Sequence, residues 1–515
     1  VIHRSCTLRI NASVLTISAF DPLTTPTYLA ADHYASFVHT PSAQGVATLD
    51  CSGCDTCLTA YDDTTLIQLS YVILRSSTTA AVSYVGSIDM LNVTLCYHHG
   101  TLLDQRFVPG EAYAYPRLLR CVGCLIANNT LEHSAIDGAY MHTVQFVASV
   151  IRNNSVVDPA ELLSFIAVRV DPAGPQPTER TCDDCFDVFQ NPLTVCTCAH
   201  QSSVGCRFAA SCFLHIRTWC MMNRSDQQTA ESPSVRSCFA LDAVTIEDHV
   251  LPTSTVSASE FDMLCMRQLV VQRNTAQIMQ LTPSTISLSS DAESYLRSLQ
   301  VVDSVFADNT AGAGGALSIQ GALNTKLDNV QFWRNTAMGD PGTGAGVSGD
   351  GGAVFIDPSA ALALEVHRCI FMHNTAANGS GGAIAYGTGG GMLLKDAAAA
   401  ISTVDARFEG NRAFASGGAV VLSLTRQCSV TIQWSMANCS FVDNAITDIG
   451  LGGAVSASSD PDKLALSWRS SEFRDCNAYD GGGALRLTGV NLVDWDNLTF
   501  VNNSASLGGA VFWTA

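Results

Sequence analysis

The sequence predicts an all-β fold, a parallel β-helix solenoid interrupted by a cysteine-rich, disulfide-stapled insertion. Three observations predict it. One phrase recurs seven times between Phe306 and Val511: an aromatic, two residues, an asparagine, then Gly-Gly-Ala and an aliphatic. The copies begin at Phe306, Phe332, Phe371, Phe408, Phe441, Phe473 and Phe500, spaced 26 to 39 residues apart, and fixed-order repetition at such a period marks a solenoid. The run around each phenylalanine alternates apolar and polar, as in Asp328-Asn329-Val330-Gln331-Phe332, the period of a strand with one buried face. No copy carries the i, i+3, i+4 apolar spacing that a helical repeat needs.

Each part of the phrase has a physical role in such a fold. Strands of successive coils pair about 4.8 Å apart, so the phenylalanines stack in one interior column. Asn309, Asn335, Asn374, Asn411, Asn444 and Asn503 form a second column, with Cys476 at the equivalent place in the sixth copy. An amide both donates and accepts, so a buried stack of them satisfies itself without water. The two glycines of each copy allow a sharp corner with positive φ, and the alanine lets the next strand pack close to the axis. The Gly- and Asp-rich insert from Thr336 to Asp350 reads as a loop. All of these residues read as scaffold rather than site.

The pairing of Phe-x-x-Asn with Gly-Gly-Ala-Ile/Leu/Val resembles the repeat of the chlamydial polymorphic outer-membrane proteins and of related adhesin-like proteins. The resemblance covers about residues 300 to 515 strongly. It implies a right-handed parallel β-helix, surface exposure and adhesion. The chain departs from that family in showing no C-terminal translocator barrel and in carrying many more cysteines and glycosylation sequons.

Composition narrows the partners. Acidic residues number 46 against 27 basic ones, giving a formal charge of −19, and Lys326, Lys395 and Lys463 are the only lysines. Such a surface repels nucleic acid and anionic membranes. No run of 18 apolar residues suits a spanning helix, so no membrane insertion is expected within the chain. Its opening, Val1-Ile2-His3, and its stop at Ala515 read as a processed or partial product. Sixteen of the 20 cysteines precede residue 266, a density that argues for an oxidising, extracellular setting. Nine sequons place N-glycan acceptors at Asn11, Asn92, Asn128, Asn153, Asn223, Asn378, Asn438, Asn497 and Asn502. In the triplet Asn502-Asn503-Ser504 the ladder residue points inward, and strand alternation turns its neighbour outward, where a glycan fits.

Upstream the repeat is worn. Residues 1–58 read as an N-terminal cap or irregular first coils, 59–172 as degenerate coils, 241–300 as further degenerate coils or a connection, and 301–515 as regular repeats continuing beyond the last residue. Ile126 to Asn129, Ile151 to Asn154 and Val271 to Asn274 keep hydrophobic-x-x-Asn, and Asp137-Gly138-Ala139-Tyr140 resembles a worn corner. Residues 173–240 differ: Cys182, Cys185, Cys196, Cys198, Cys206, Cys212, Cys220 and Cys238 mark a disulfide-stapled insertion of open connectivity. A zinc reading, either from Cys182, Cys185, Cys196 and Cys198 or from Cys51, Cys54 and Cys57, is the lesser alternative in an oxidising compartment. Cys121-x-x-Cys124 lacks a thioredoxin-like context, and His98-His99 lacks a metal-ligand pattern and reads as exposed.

Three functions follow from these readings. The expected one is a non-enzymatic extracellular structural or adhesive glycoprotein, a rod that assembles into or decorates a cell-surface filament or coat, with no cofactor. Its partners would be other copies of itself, other surface proteins and covalent glycans. A second is a polysaccharide lyase or hydrolase on a β-helix, which needs converging carboxylates. Here acidic residues occur singly, as Asp308, Asp443, Asp350 and Asp480, and read as solvated. The third is a glycan-binding surface module using Trp333, Trp434 and Trp513 as outward platforms.

Overall fold

A computed structural model describes residues 9–10, 16–19, 34–38, 47–51, 56–59, 66–84, 87–105, 118–131, 136–139, 143–156, 166–169, 238–251, 256–259, 263–276, 286–289, 296–320, 322–339, 349–357, 363–386, 399–423, 432–459 and 463–514. Among the described residues every regular element is a strand. The strands form four sheets, of 15, 15, 14 and 9 strands. The Phe sheet holds short strands such as Gln331–Trp333 and Ile370–Met372. A second sheet holds the longer strands just before them, such as Ala322–Asp328 and Ala363–His367. A third holds the strands that follow Gly-Gly-Ala, such as Val354–Asp357. The fourth holds two-residue strands after each ladder position, such as Thr336–Ala337 and Thr375–Ala376.

From Leu66 onward the chain visits these sheets in turn. Each strand pairs in parallel with its counterparts one coil before and after, an arrangement consistent with a β-solenoid. Register is set by the repeat: Phe306 pairs with Phe332, Phe332 with Phe371, and so on to Phe500. Their ring centroids lie 4.6 to 5.1 Å apart with planes within 11° of parallel. That separation is the strand spacing itself, so the backbone ladder dictates the stack. Burying one such ring contributes roughly 1.5–3 kcal/mol, more than a surface ion pair does.

The coils before and after the cysteine-rich segment are neighbours. Thr143–Val147 pairs directly with Cys238–Asp242, and Ile166–Arg169 with Val256–Ser259. The segment between Arg169 and Cys238 therefore leaves and rejoins one continuous stack. Cys238 begins a strand of that stack rather than ending an insertion. Cys182, Cys185, Cys196, Cys198, Cys206, Cys212 and Cys220 lie outside the described residues. The first strands differ: Arg9–Ile10 pairs antiparallel with Ala47–Asp50, and Thr16–Ala19 with Tyr34–Val38.

Three local expectations need correction. Ile136, aligned through successive strands with Leu317, holds the aliphatic place of the worn motif, so Asp137-Gly138-Ala139 is strand and not corner. The insert after Asn335 begins later than Thr336, because Thr336–Ala337 pairs on both sides. The two glycines of a copy also differ in role. Gly417 sits at φ +60°, whereas Gly418 is required for space: an added Cβ would run into Gly453 O and come within 2.6 Å of Ala445 N in the next coil.

Candidate functional site

Two corners flank each Phe strand, and both are made by a residue in the left-handed region. In one copy these are Asn329 (φ +54°) and Arg334 (φ +49°), on either side of Val330 to Trp333. Asparagine and aspartate tolerate this conformation best, and they fill many such places, including Asn128, Asn153, Asp308, Asp405, Asp443 and Asn502. The left-handed step turns the corner residue outward and the next residue inward. Most corners thus present an exposed side chain beside an inward one, while Gly123 and Gly410 make the same turn without a side chain.

The buried side chains after the second corner form the ladder. Asn335 Nδ2 donates to Asn374 Oδ1 at 3.0 Å, Asn374 to Asn411 at 3.0 Å and Asn411 to Asn444 at 3.0 Å. Each amide also donates to a phenylalanine carbonyl of the preceding coil, as Asn411 does to Phe371 O at 2.9 Å, and its Oδ1 accepts the preceding ladder residue's backbone N–H. At Cys476 the amide chain is interrupted, and Asn503 Oδ1 accepts the Cys476 N–H instead. Upstream the column continues through Asn309, Asn274, His249, Asn154, Asn129 and His98.

The two histidines were not legible as ladder members, and His98 is buried at 1 % exposure where the sequence reading had it exposed. Both follow an aliphatic by three residues, Leu95 and Ile246, which is the missed signal. His98 Nδ1 faces the Ser77 N–H at 3.1 Å and Oγ at 2.7 Å, while Nε2 lies 2.8 Å from Leu74 O. His249 Nδ1 lies 3.0 Å from Asn274 Oδ1, and its Nε2 faces Asn154 Nδ2 at 3.2 Å. With the amide donating, this neutral ring accepts at Nε2 and donates at Nδ1. Burial pushes both imidazoles down to about 4.

The outward corner residues include the sequon asparagines. Asn92, Asn128, Asn153, Asn378, Asn438, Asn497 and Asn502 are all exposed, and all but Asn378 have positive φ. It is the left-handed corner, not simple strand alternation, that turns Asn502 away from Asn503. In each corner sequon the following residue is an inward one, for example Val93 after Asn92 and Cys439 after Asn438. Asn378 lies beyond a two-residue strand, where its amide donates to Met338 O. Asn11 and Asn223 lie outside the described residues.

Cysteine chemistry divides along the chain. Cys51 and Cys57 form a disulfide with Cα atoms 5.5 Å apart, which removes them from any zinc site, and Cys265 is also disulfide-bonded. Cys369 and Cys439 are buried free thiols that stand in the first-corner column alongside Ser304 and Ser471. Ser304 and Ser471 hydroxyls donate to the carbonyl two residues back, at 2.7 and 2.9 Å. Cys439 Sγ does the same to Ala437 O at 3.3 Å. Cys439→Ser is accordingly expected to shift the urea midpoint by less than about 1 kcal/mol equivalent. A loss several times larger would assign the thiol a role that a hydroxyl cannot fill.

Other candidate residues are placed differently than expected. Trp434 is buried, its Nε1 donating to Thr403 Oγ1 at 3.3 Å. Trp513 is half exposed but belongs to an inward column, aligned with Leu487. Trp333 is outward, at 37 % exposure. Asp308 is paired with Arg334, which holds its carboxyl below the usual range, and Asp443 with Arg412. Asp350 is buried rather than solvated and accepts the Ser380 N–H at 2.6 Å. Among the described residues no three His, Cys, Asp or Glu side chains are grouped to hold a metal ion. No family model, curated protein or solved structure matches this chain.

Proposed function

We propose that the chain is a non-enzymatic extracellular structural or adhesive glycoprotein, a right-handed β-helix rod of the polymorphic outer-membrane protein type. Its cysteine-rich insertion is stapled by disulfides, and it works in a cell-surface filament or coat. The observation that carries this reading is the exposure of all seven described sequon asparagines on a scaffold whose recurring polar residues are spent on themselves. Six of the seven sit on left-handed corners that project from the coil while the next residue is locked inside. Glycans there would coat the corner rows without disturbing the ladder. The acidic balance of 46 against 27 keeps such a surface soluble.

Two measurements on native material test the reading. Intact mass is expected to exceed the polypeptide mass and to return to it after enzymatic removal of N-glycans. Electron microscopy is expected to show rods joined end to end or side by side. An unmodified mass would remove the glycoprotein part, and isolated monomers at high concentration would remove the assembly part.

A further inference from the structure

Cys121 and Cys124 bring two thiols to one corner that the ladder does not use. Cys121 points inward from the strand Leu118–Val122, in the column of Met90 and Phe146. Gly123, at φ +64°, turns the chain so that Cys124 is inward as well, and both side chains are buried. The same two places in other coils hold Phe146 with Ser149, Val366 with Cys369 and Met436 with Cys439. Cys369 and Cys439 therefore have no thiol across their corner, and they turn to backbone oxygen at 3.2 and 3.4 Å and at 3.3 and 3.5 Å respectively. Cys124 lies farther from its equivalent carbonyls, Met90 O and Val122 O, at 3.7 Å each, and stands across the Gly123 corner from the inward Cys121.

We infer that Cys121 and Cys124 are a cross-linking site, closing a disulfide across the Gly123 corner when the protein folds in the presence of a low-molecular-weight disulfide. One cysteine thiolate attacks the dissolved disulfide and expels the first small thiolate. The second cysteine thiolate then attacks the mixed disulfide and expels the other. Two protein thiols are oxidised, the small disulfide is reduced to two thiols, and the two cysteine protons pass to them. In the closed coil burial holds the Cys121 thiol well above its ordinary range, so the nucleophilic thiolate is scarce there. Exchange therefore belongs to the folding chain, before the corner closes, and the finished bond is shielded from reductant by the same burial. This site is independent of the glycoprotein reading.

The test uses the full chain, produced without glycosylation and refolded with oxidised and reduced glutathione, then denatured in an alkylating reagent and digested with trypsin. Cleavage after Arg120 and Arg152 isolates Cys121 and Cys124 as the only cysteines of one peptide. The expected peptide is unalkylated and lighter than the dithiol by two hydrogens. Full alkylation of both cysteines, in a sample where Cys51 and Cys57 are oxidised, would overturn the proposal. Met436→Cys recreates the pair beside Cys439 and is expected to gain a second cross-link by the same assay. Should that variant fail to fold, the wild-type peptide still decides the question.

Discussion

Asn411→Ala is expected to lower the unfolding free energy by about 3–5 kcal/mol, as large a loss as any ladder position should show. The side chain is fully buried and sits in the middle of the amide run. Its removal deletes four hydrogen bonds: to Asn444 Oδ1, to Phe371 O, and from the Asn374 Nδ2 and N–H groups. Three groups are left buried without that partner, the Asn374 N–H, the Asn374 amide and the Phe371 carbonyl, each costing about 1–3 kcal/mol where no water reaches it. Neighbouring coils relax a little, which is why the estimate falls below the simple sum. Urea unfolding followed by circular dichroism measures it. A loss under about 1 kcal/mol would mean that the column is filled by water or repacked, and that the ladder is not what fixes the register. Cys476 supports the larger figure indirectly: where nature replaces the amide, the thiol still reaches Phe441 O at 3.5 Å and Arg474 O at 3.3 Å.

What could be read from the sequence follows from how local the cause is. The Phe column, the ladder asparagines from Asn309 to Asn503 and the coil period were legible because identical residues at fixed offsets must stack when strands pair in parallel. The left-handed corners were not, since Asn329, Arg334, Arg368 and Ser470 share no residue type that marks them. The separate roles of Gly417 and Gly418 depend on the approach of the next coil, which no single coil encodes. Trp434 illustrates the same limit. Its inward direction depends on the strand Ile432–Ala437, whose buried-exposed alternation places it with Ile432 and Met436. The sequon asparagines were found by motif, but the reason they project is the corner geometry. The histidine members were missed because an imidazole substitutes for an amide only as a neutral ring with one donor and one acceptor.

That substitution makes the upstream coils acid-sensitive. His98 and His249 have folded-state values near 4, against an ordinary value of 6.5. Between those two values the unfolded chain binds more protons than the folded one, so stability is full above about pH 6.5 and declines as pH falls toward 4. Below 4 both states are protonated and these rings contribute no further loss. A shift of this size corresponds to about 3 kcal/mol for each ring, as an upper figure. Burial is the main cause at His249, the hydrogen bond to Asn274 and the flanking Asp248 and Glu247 offset only part of it, and a proton on Nε2 would also face the Asn154 amide donor. Asp248 itself is held low by Arg273, so its own contribution is lost only below its ordinary range, near 3.8 and under. The His window thus stands apart from the carboxylate window. Urea midpoints measured from pH 7.5 to 4.5 are expected to fall steeply for the natural chain, and to fall much less for a His98→Asn, His249→Asn variant, in which amides restore the column. Equal pH slopes for the two proteins would show that neither ring titrates across folding, and that the acid response of the stack comes from its carboxylates alone.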